Sequence, residues 1–186
     1  MSELDQPGGS GSESADIPRH PLSDEGQDAK ADEVLARAEA QLWGEVSRPG
    51  AGYSPEQLEA GGLAPDDPRL NDSDNSLIRL EHEVKDRQEE PRIEVAYPAF
   101  QFTKDSDGQI GVRGGVISEI NGEDMLDARG DPWGVADWWL YENAWLGDSI
   151  TNPATGEIVR RPVDLLDVPG GDETLLQLAR AVYLDE

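Results

Sequence analysis

The sequence predicts a mainly α-helical chain with two small β-hairpins, a small helical C-terminal domain preceded by a disordered acidic N-terminal tail. Three observations carry that expectation. Four of the five tryptophans fall between Asp131 and Leu146, in a stretch that opens with helix-start residues. The first 28 residues are rich in Gly, Ser, Pro, Asp and Glu, too poor in apolar area to offset the entropy of ordering. Between and beyond these, apolar residues recur at helical spacing, whereas strand-like runs are short and bounded by turn residues.

The chain divides into three parts: a tail over 1–28, a partly ordered, helical and turn-rich region over 29–92, and a domain over 93–186. In the middle region Asp32 to Val46 is the strong helix, with Val34, Leu35, Ala38, Leu42 and Val46 near helical spacing and Pro49-Gly50 closing it. Ser54-Pro-Glu-Gln-Leu58 reads as a capped helix start, with Pro55 at the first helical position. Asp66-Asp-Pro68 and residues 71–75 are turn chemistry. Ser76 to Gln88 is expected as a further short helix, with Leu77, Leu80 and Val84 on one side. This region is expected either to pack loosely or to fold on a partner.

In the C-terminal part, Ile93 to Phe102 is strand-like, and Pro98 places it at an edge or a bend. Asp105-Ser-Asp-Gly108 turns the chain into Gln109–Val112, giving a hairpin. Val116 to Leu126 reads as a short helix with Ile117, Ile120 and Met125 inward. Asp131 caps the tryptophan helix and Pro132 takes its first position. Trp138, Tyr141 and Trp145 then share one face, Val135 and Trp139 a second, Ala136 and Leu140 a third. A helix apolar on several sides must be buried on several sides, in its own core or by another protein. Residues 149–151 and Glu157–Val159 flank a second turn at Asn152-Pro-Ala-Thr-Gly156. Pro162 to Asp167 gives a helical turn. The last helix follows Gly170-Gly171, capped by Asp172, with Leu175, Leu178, Ala179 and Val182 along one face.

Charge narrows the partners. The net charge is −25, and it is spread evenly: residues 1–92 carry 22 acidic and 9 basic side chains (−13), residues 93–186 carry 18 and 6 (−12). Such a surface repels phosphate backbones, so direct nucleic-acid binding is not expected, whereas a basic protein partner is suited to it. Solubility alone is the plainer explanation. There is no cysteine, which excludes disulfides, thiolate chemistry and cysteine-bound metals. The N-terminus has no basic and apolar signal-peptide pattern, and no apolar run approaches the ~18 residues that cross a bilayer. A cytoplasmic location is therefore expected.

Chemical motifs are scarce. His20 and His82 lack a second histidine at ligand spacing, so no zinc site is expected. Asp105-Ser-Asp-Gly-Gln-Ile110 begins like a calcium loop, but Gly114 stands where the bidentate glutamate would be, so a turn is expected. Gly8-Gly-Ser-Gly11 follows no strand and is linker. No catalytic, cofactor-binding or metal-binding residue is assigned, and the chain is read as no enzyme and as needing no cofactor.

Tyr97-Pro-Ala-Phe-Gln-Phe102, Asp131-Pro-Trp133, Ala136-Asp-Trp-Trp139, Asn143, Leu146 and Arg161-Pro-Val-Asp-Leu-Leu166 follow one another at a characteristic spacing. In these residues the segment from about 95 to 184 resembles the toxin-binding domain of Xre/MbcA/ParS-type antitoxins. The resemblance implies a protein that inhibits a NAD-degrading RES-domain toxin by covering the mouth of its NAD pocket. Carried onto this sequence, it implies partner contacts at Trp138, Trp139, Trp145, Arg161, Tyr183 and Leu184. Core packing is the alternative for each tryptophan, and pairing with Asp164 the alternative for Arg161. Two departures stand out: no basic recognition helix precedes the domain, and the step from Leu146 to Arg161 carries an apparent inserted hairpin over residues 148–159. The alternative function is a phage-type or regulatory adaptor, or an acidic nucleic-acid mimic that occupies a basic surface; an oligomer is left open.

Overall fold

The computed structural model of the chain describes residues 24–71, 76–85, 90–147 and 150–184, with side chains of the first helix described from residue 29 and those of the last up to Val182. The described residues fall into two compact units divided between Leu35 and Ala36. The described part of the first is the start of helix α1 (Asp24–Val46). That helix starts well before Asp32, inside the segment expected to be disordered; the rest of that tail, residues 1–23, lies outside the described residues. Its apolar stripe is only partly used. Leu42 and Val46 are buried, whereas Val34 and Leu35 are exposed.

The second unit is mainly helical with two small sheets, as the sequence predicts at that level. After α1 come β1 (Gly52–Tyr53), α2 (Pro55–Ala60) and α3 (Pro68–Asn71), then β2 (Leu80–Val84) and β3 (Arg92–Pro98). A 3-10 turn over Ala99–Gln101 leads to the hairpin β4 (Phe102–Lys104) and β5 (Ile110–Val112). Helices α4 (Val116–Asn121), α5 (Pro132–Leu140) and α6 (Gly171–Leu184) follow, with 3-10 turns at Ala144–Leu146 and Pro162–Asp167.

Local chemistry sets most of these starts. Ser54 and Gln57 form a reciprocal capping box on α2: Gln57 N–H donates to the Ser54 hydroxyl at 3.3 Å, and Ser54 N–H donates to the Gln57 side chain at 2.8 Å. The Asp131 carboxylate accepts from Gly134 N–H at 2.8 Å, fixing the first turn of α5. Helix α6 begins at Gly171 with Asp172 already inside its first turn, so Asp172 is not the cap. Gly171 is there for space: a Cβ would collide with the backbone carbonyl of Leu165.

The segment read as a helix over Ser76–Gln88 is instead an edge strand where described. β2 pairs antiparallel with β3, Leu80 opposite Ala96 and Val84 opposite Arg92, and β1 pairs with the far end of β3 in the order β1-β3-β2. The alternation Ile78, Leu80, His82, Val84 fits a strand as well as Leu77, Leu80, Val84 fits a helix, and the partner strand decides. Pro98 ends the central strand at a bend. It also removes the N–H that would have bonded Ile78 as the ladder's next pair. Gln101 replaces it: its side-chain carbonyl accepts from Ile78 N–H at 2.6 Å, and its amide donates back to the Ile78 carbonyl at 3.0 Å.

Two apolar clusters hold the unit together. The larger joins Leu42, Val46, Ile78 and Leu80 to Ile117, Ile120, Val135, Trp139, Leu165, Leu175 and Ala179. The smaller joins Leu58 and Leu63 to Tyr97, Phe102 and Ile110, with Tyr53 and Tyr97 both set edge-on to Phe102. Each fully buried aliphatic side chain contributes about 1.5–3 kcal/mol. Both clusters draw on residues either side of position 92, so no boundary falls there, and Leu42, Val46, Leu58 and Leu63 are part of the core. The region following the tryptophan helix is a short bridged turn, Thr151 opposite Ile158.

Candidate functional site

The tryptophan segment does not form one long helix. α5 stops at Leu140, and Asn143 redirects the chain: its side chain accepts from Trp145 N–H at 2.9 Å while its own N–H donates to the Arg160 carbonyl at 2.8 Å. Trp145 therefore sits on a separate 3-10 turn, not on the helix face it was expected to share with Trp138 and Tyr141.

Trp138 and Trp139 are neighbours in sequence with opposite fates. Trp139 is fully enclosed, its ring 5.0 Å from that of Phe100, so it has no surface to offer a partner and its assignment as a contact is corrected to core. Trp138 lies edge-on against it and is half-buried. Its indole N–H is shielded from solvent and makes no hydrogen bond among the described residues. Trp145 is 65% exposed, the most exposed of the large apolar side chains described.

Trp138 and Trp145 meet in a groove of about 500 Å³. Met125, Leu126, Trp138, Tyr141 and Trp145 form its apolar lining, and Val182 reaches it from the last turns of α6. Asp131, Asp137 and Glu142 stand on the same lining. Partial burial, then the charge of Asp131, holds the Asp137 carboxyl above the ordinary carboxylate range. Burial also pushes the Tyr141 hydroxyl up, with the charge of Glu45 adding to it; Gln41 and Glu45 flank that hydroxyl without forming a hydrogen bond of good geometry.

Arg161 is held in a bidentate pair with Asp164, at 2.8 and 2.6 Å, as the alternative reading had it. Its guanidinium remains half-exposed, so it can meet a partner only with Asp164 attached or after leaving it. The side chains of Tyr183 and Leu184 lie outside the described residues, although Val182 brings their helix to the groove.

The calcium-like loop is a turn. The Asp105 carboxylate accepts from Asp107 N–H at 2.9 Å and Gln109 N–H at 2.8 Å, which engages it in shaping the hairpin. No group of three or more His, Cys, Asp or Glu side chains is arranged to hold a metal among the described residues. No described helix is long and apolar enough to cross a membrane. His82, in the segment expected to be helical, lies on strand β2 and stacks on Trp43 with ring centroids 5.0 Å apart.

Sequence reasoning missed the buried polar chain behind the groove. Trp139 N–H donates to the Asn121 side-chain carbonyl at 2.8 Å, and the Asn121 amide approaches the Gln101 carbonyl at 3.4 Å. Gln101 in turn holds Ile78. A glutamine between two phenylalanines in a strand-like run was the available signal. Comparison with protein-family models, curated proteins and solved structures found no match.

Proposed function

We propose that the chain is a non-enzymatic binding protein, an antitoxin-like inhibitor whose aromatic groove docks on a RES-domain toxin and closes its NAD pocket. The observation that carries this reading is convergence. Trp138 and Trp145, two of the contacts implied by the resemblance, line one groove, and the C-terminal helix that bears Tyr183 and Leu184 reaches it through Val182. An exposed tryptophan beside a half-buried one, with an apolar floor, is the composition of an interface hot spot. The carboxylates at the groove and the net charge of −25 suit a basic pocket mouth.

The reading is tested by adding the protein to purified RES-domain toxins and following NAD breakdown. Inhibition by the wild type, with a loss of roughly 10–100-fold in potency for Trp145→Ala, supports it. Unchanged NAD breakdown at saturating protein, across toxins of that class, rejects it.

A further inference from the structure

We propose a second docking site, independent of the antitoxin reading: the open edge of β3, which takes an extended strand from a cationic protein partner. The inference starts from where β1 stops. Ala99 N–H donates to the Ala51 carbonyl at 2.9 Å, and the next two ladder pairs are Gly52 with Pro98 and Tyr53 with Tyr97. Backbone groups on a strand alternate sides, so Tyr97, Val95 and Ile93 present theirs toward β1, while Ala96, Glu94 and Arg92 present theirs toward β2. β1 cannot follow. Ser54 is already the cap of α2, and Pro55, with its fixed φ and no N–H, turns the chain into the helix. Ile93 and Val95 therefore turn their N–H and C=O groups to the side on which β1 has already ended, and they meet no strand there.

The missing strand's place is empty space of the right form. A cleft of about 720 Å³ is lined by Arg92–Ala96 together with Trp43 and Val46 at the end of α1, Tyr53 and Gln57. Ile93 is 60% exposed at its margin. Two donors and two acceptors, spaced at alternate residues along an extended backbone, are matched by another extended backbone.

Charge selects the occupant. A second copy would bring another −25, and pairing Ile93 with the copy's Val95 would set the two Glu94 side chains directly opposite each other. Glu56 and Glu94 border the cleft; Arg48 and Arg92 border it too, with Arg92 paired to Glu94 at 2.8 Å. A strand alternating apolar and cationic residues is drawn by the field of the whole molecule and can place its apolar side chains beside Ile93 and Val95.

Residue-resolved amide hydrogen exchange on the full chain tests this. In the free protein the Ile93 and Val95 amides should exchange faster than those of Glu94 and Ala96. A capped heptapeptide alternating valine and lysine should slow Ile93 and Val95 at least about tenfold. The same peptide with every amide N-methylated should not, and one alternating valine and glutamate should do so more weakly. The proposal is overturned if these amides are already protected in dilute protein, or if the valine–lysine peptide leaves them unchanged. Equal slowing by the N-methylated or the glutamate peptide also overturns it, as does protection that rises with protein concentration alone, which would assign the edge to a second copy.

Discussion

The indole N–H of Trp139 donates to the side-chain carbonyl of Asn121 at 2.8 Å, both residues closed off from solvent. That bond holds Trp139 in the core, while its neighbour Trp138 stays half-buried at the groove. It also begins a polar chain, through Gln101 to the backbone of Ile78, that ties α5 and α4 to the sheet. Buried polar groups in such a chain must all be satisfied, because each orphaned one carries its full desolvation cost.

Gln101→Leu should be among the most destabilising single changes. It keeps the volume but strands the N–H and C=O of Ile78 beside a proline that cannot donate. A loss of about 2–4 kcal/mol is expected in urea unfolding, with the midpoint falling and the denaturant slope unchanged.

Trp139→Phe and Asn121→Ala should not be additive. A double-mutant cycle on unfolding free energies should return a coupling of about 1 kcal/mol or more. A coupling near zero would show that the indole bond contributes nothing beyond packing.

Trp145→Ala should separate binding from folding. With so much of its surface in solvent, its removal should change stability by no more than about 0.5 kcal/mol. Trp139→Ala, by contrast, should cost about 3–5 kcal/mol. Thermal or denaturant curves of the two variants side by side provide the check.

Two carboxylates should act on stability with opposite signs. Asp137 is held above its ordinary range, so below that range it costs nothing, and as pH rises through it the unfolded chain ionises first and stability is lost. Asp137→Asn should therefore stabilise slightly at pH 7, by at most about 0.5 kcal/mol at so exposed a position, and the gain should vanish below about pH 3. Asp67 is the reverse. Its hydrogen bonds from Arg69 hold it down to about 2, so its contribution is present above the ordinary carboxylate range and fades as pH falls toward that value. Asp67→Asn should remove that part of the acid limb. Unfolding midpoints measured from pH 2 to 7 would show both trends or neither.

Gly171→Ala should destabilise by about 1–3 kcal/mol, since the added methyl must displace a backbone carbonyl rather than a flexible side chain. Gly114→Ala, where a Cβ would meet nothing within 4 Å, serves as the neutral control in the same melt.

Much of the local structure could be read directly from short-range chemistry. The capping box at Ser54, the cap at Asp131, the hairpin turn at Asp105 and the helical turn after Arg161 each depend on neighbours a few residues apart. What escaped depends on distant partners. β2 carries apolar spacing that suits either a helix or a strand until β3 is beside it. The end of α5 is set by Asn143 reaching Arg160, and Trp139 is held in the core by Asn121 on another helix. The groove was legible in part: Trp138 and Trp145 share it as contact candidates, but the second reaches it from a turn the helical spacing did not predict.

The larger apolar cluster has a consequence for the chain's synthesis. Leu42 and Val46 are made early, yet they pack in the same core as Leu175 and Ala179 of α6, the last described element. At about 5–20 residues per second, roughly 7–27 seconds separate the two. Throughout that interval a nascent chain displays core surface it cannot yet cover, and Trp139 adds to it in the later part. Such an intermediate is a natural client for chaperones, and its dependence on them should end only when α6 arrives.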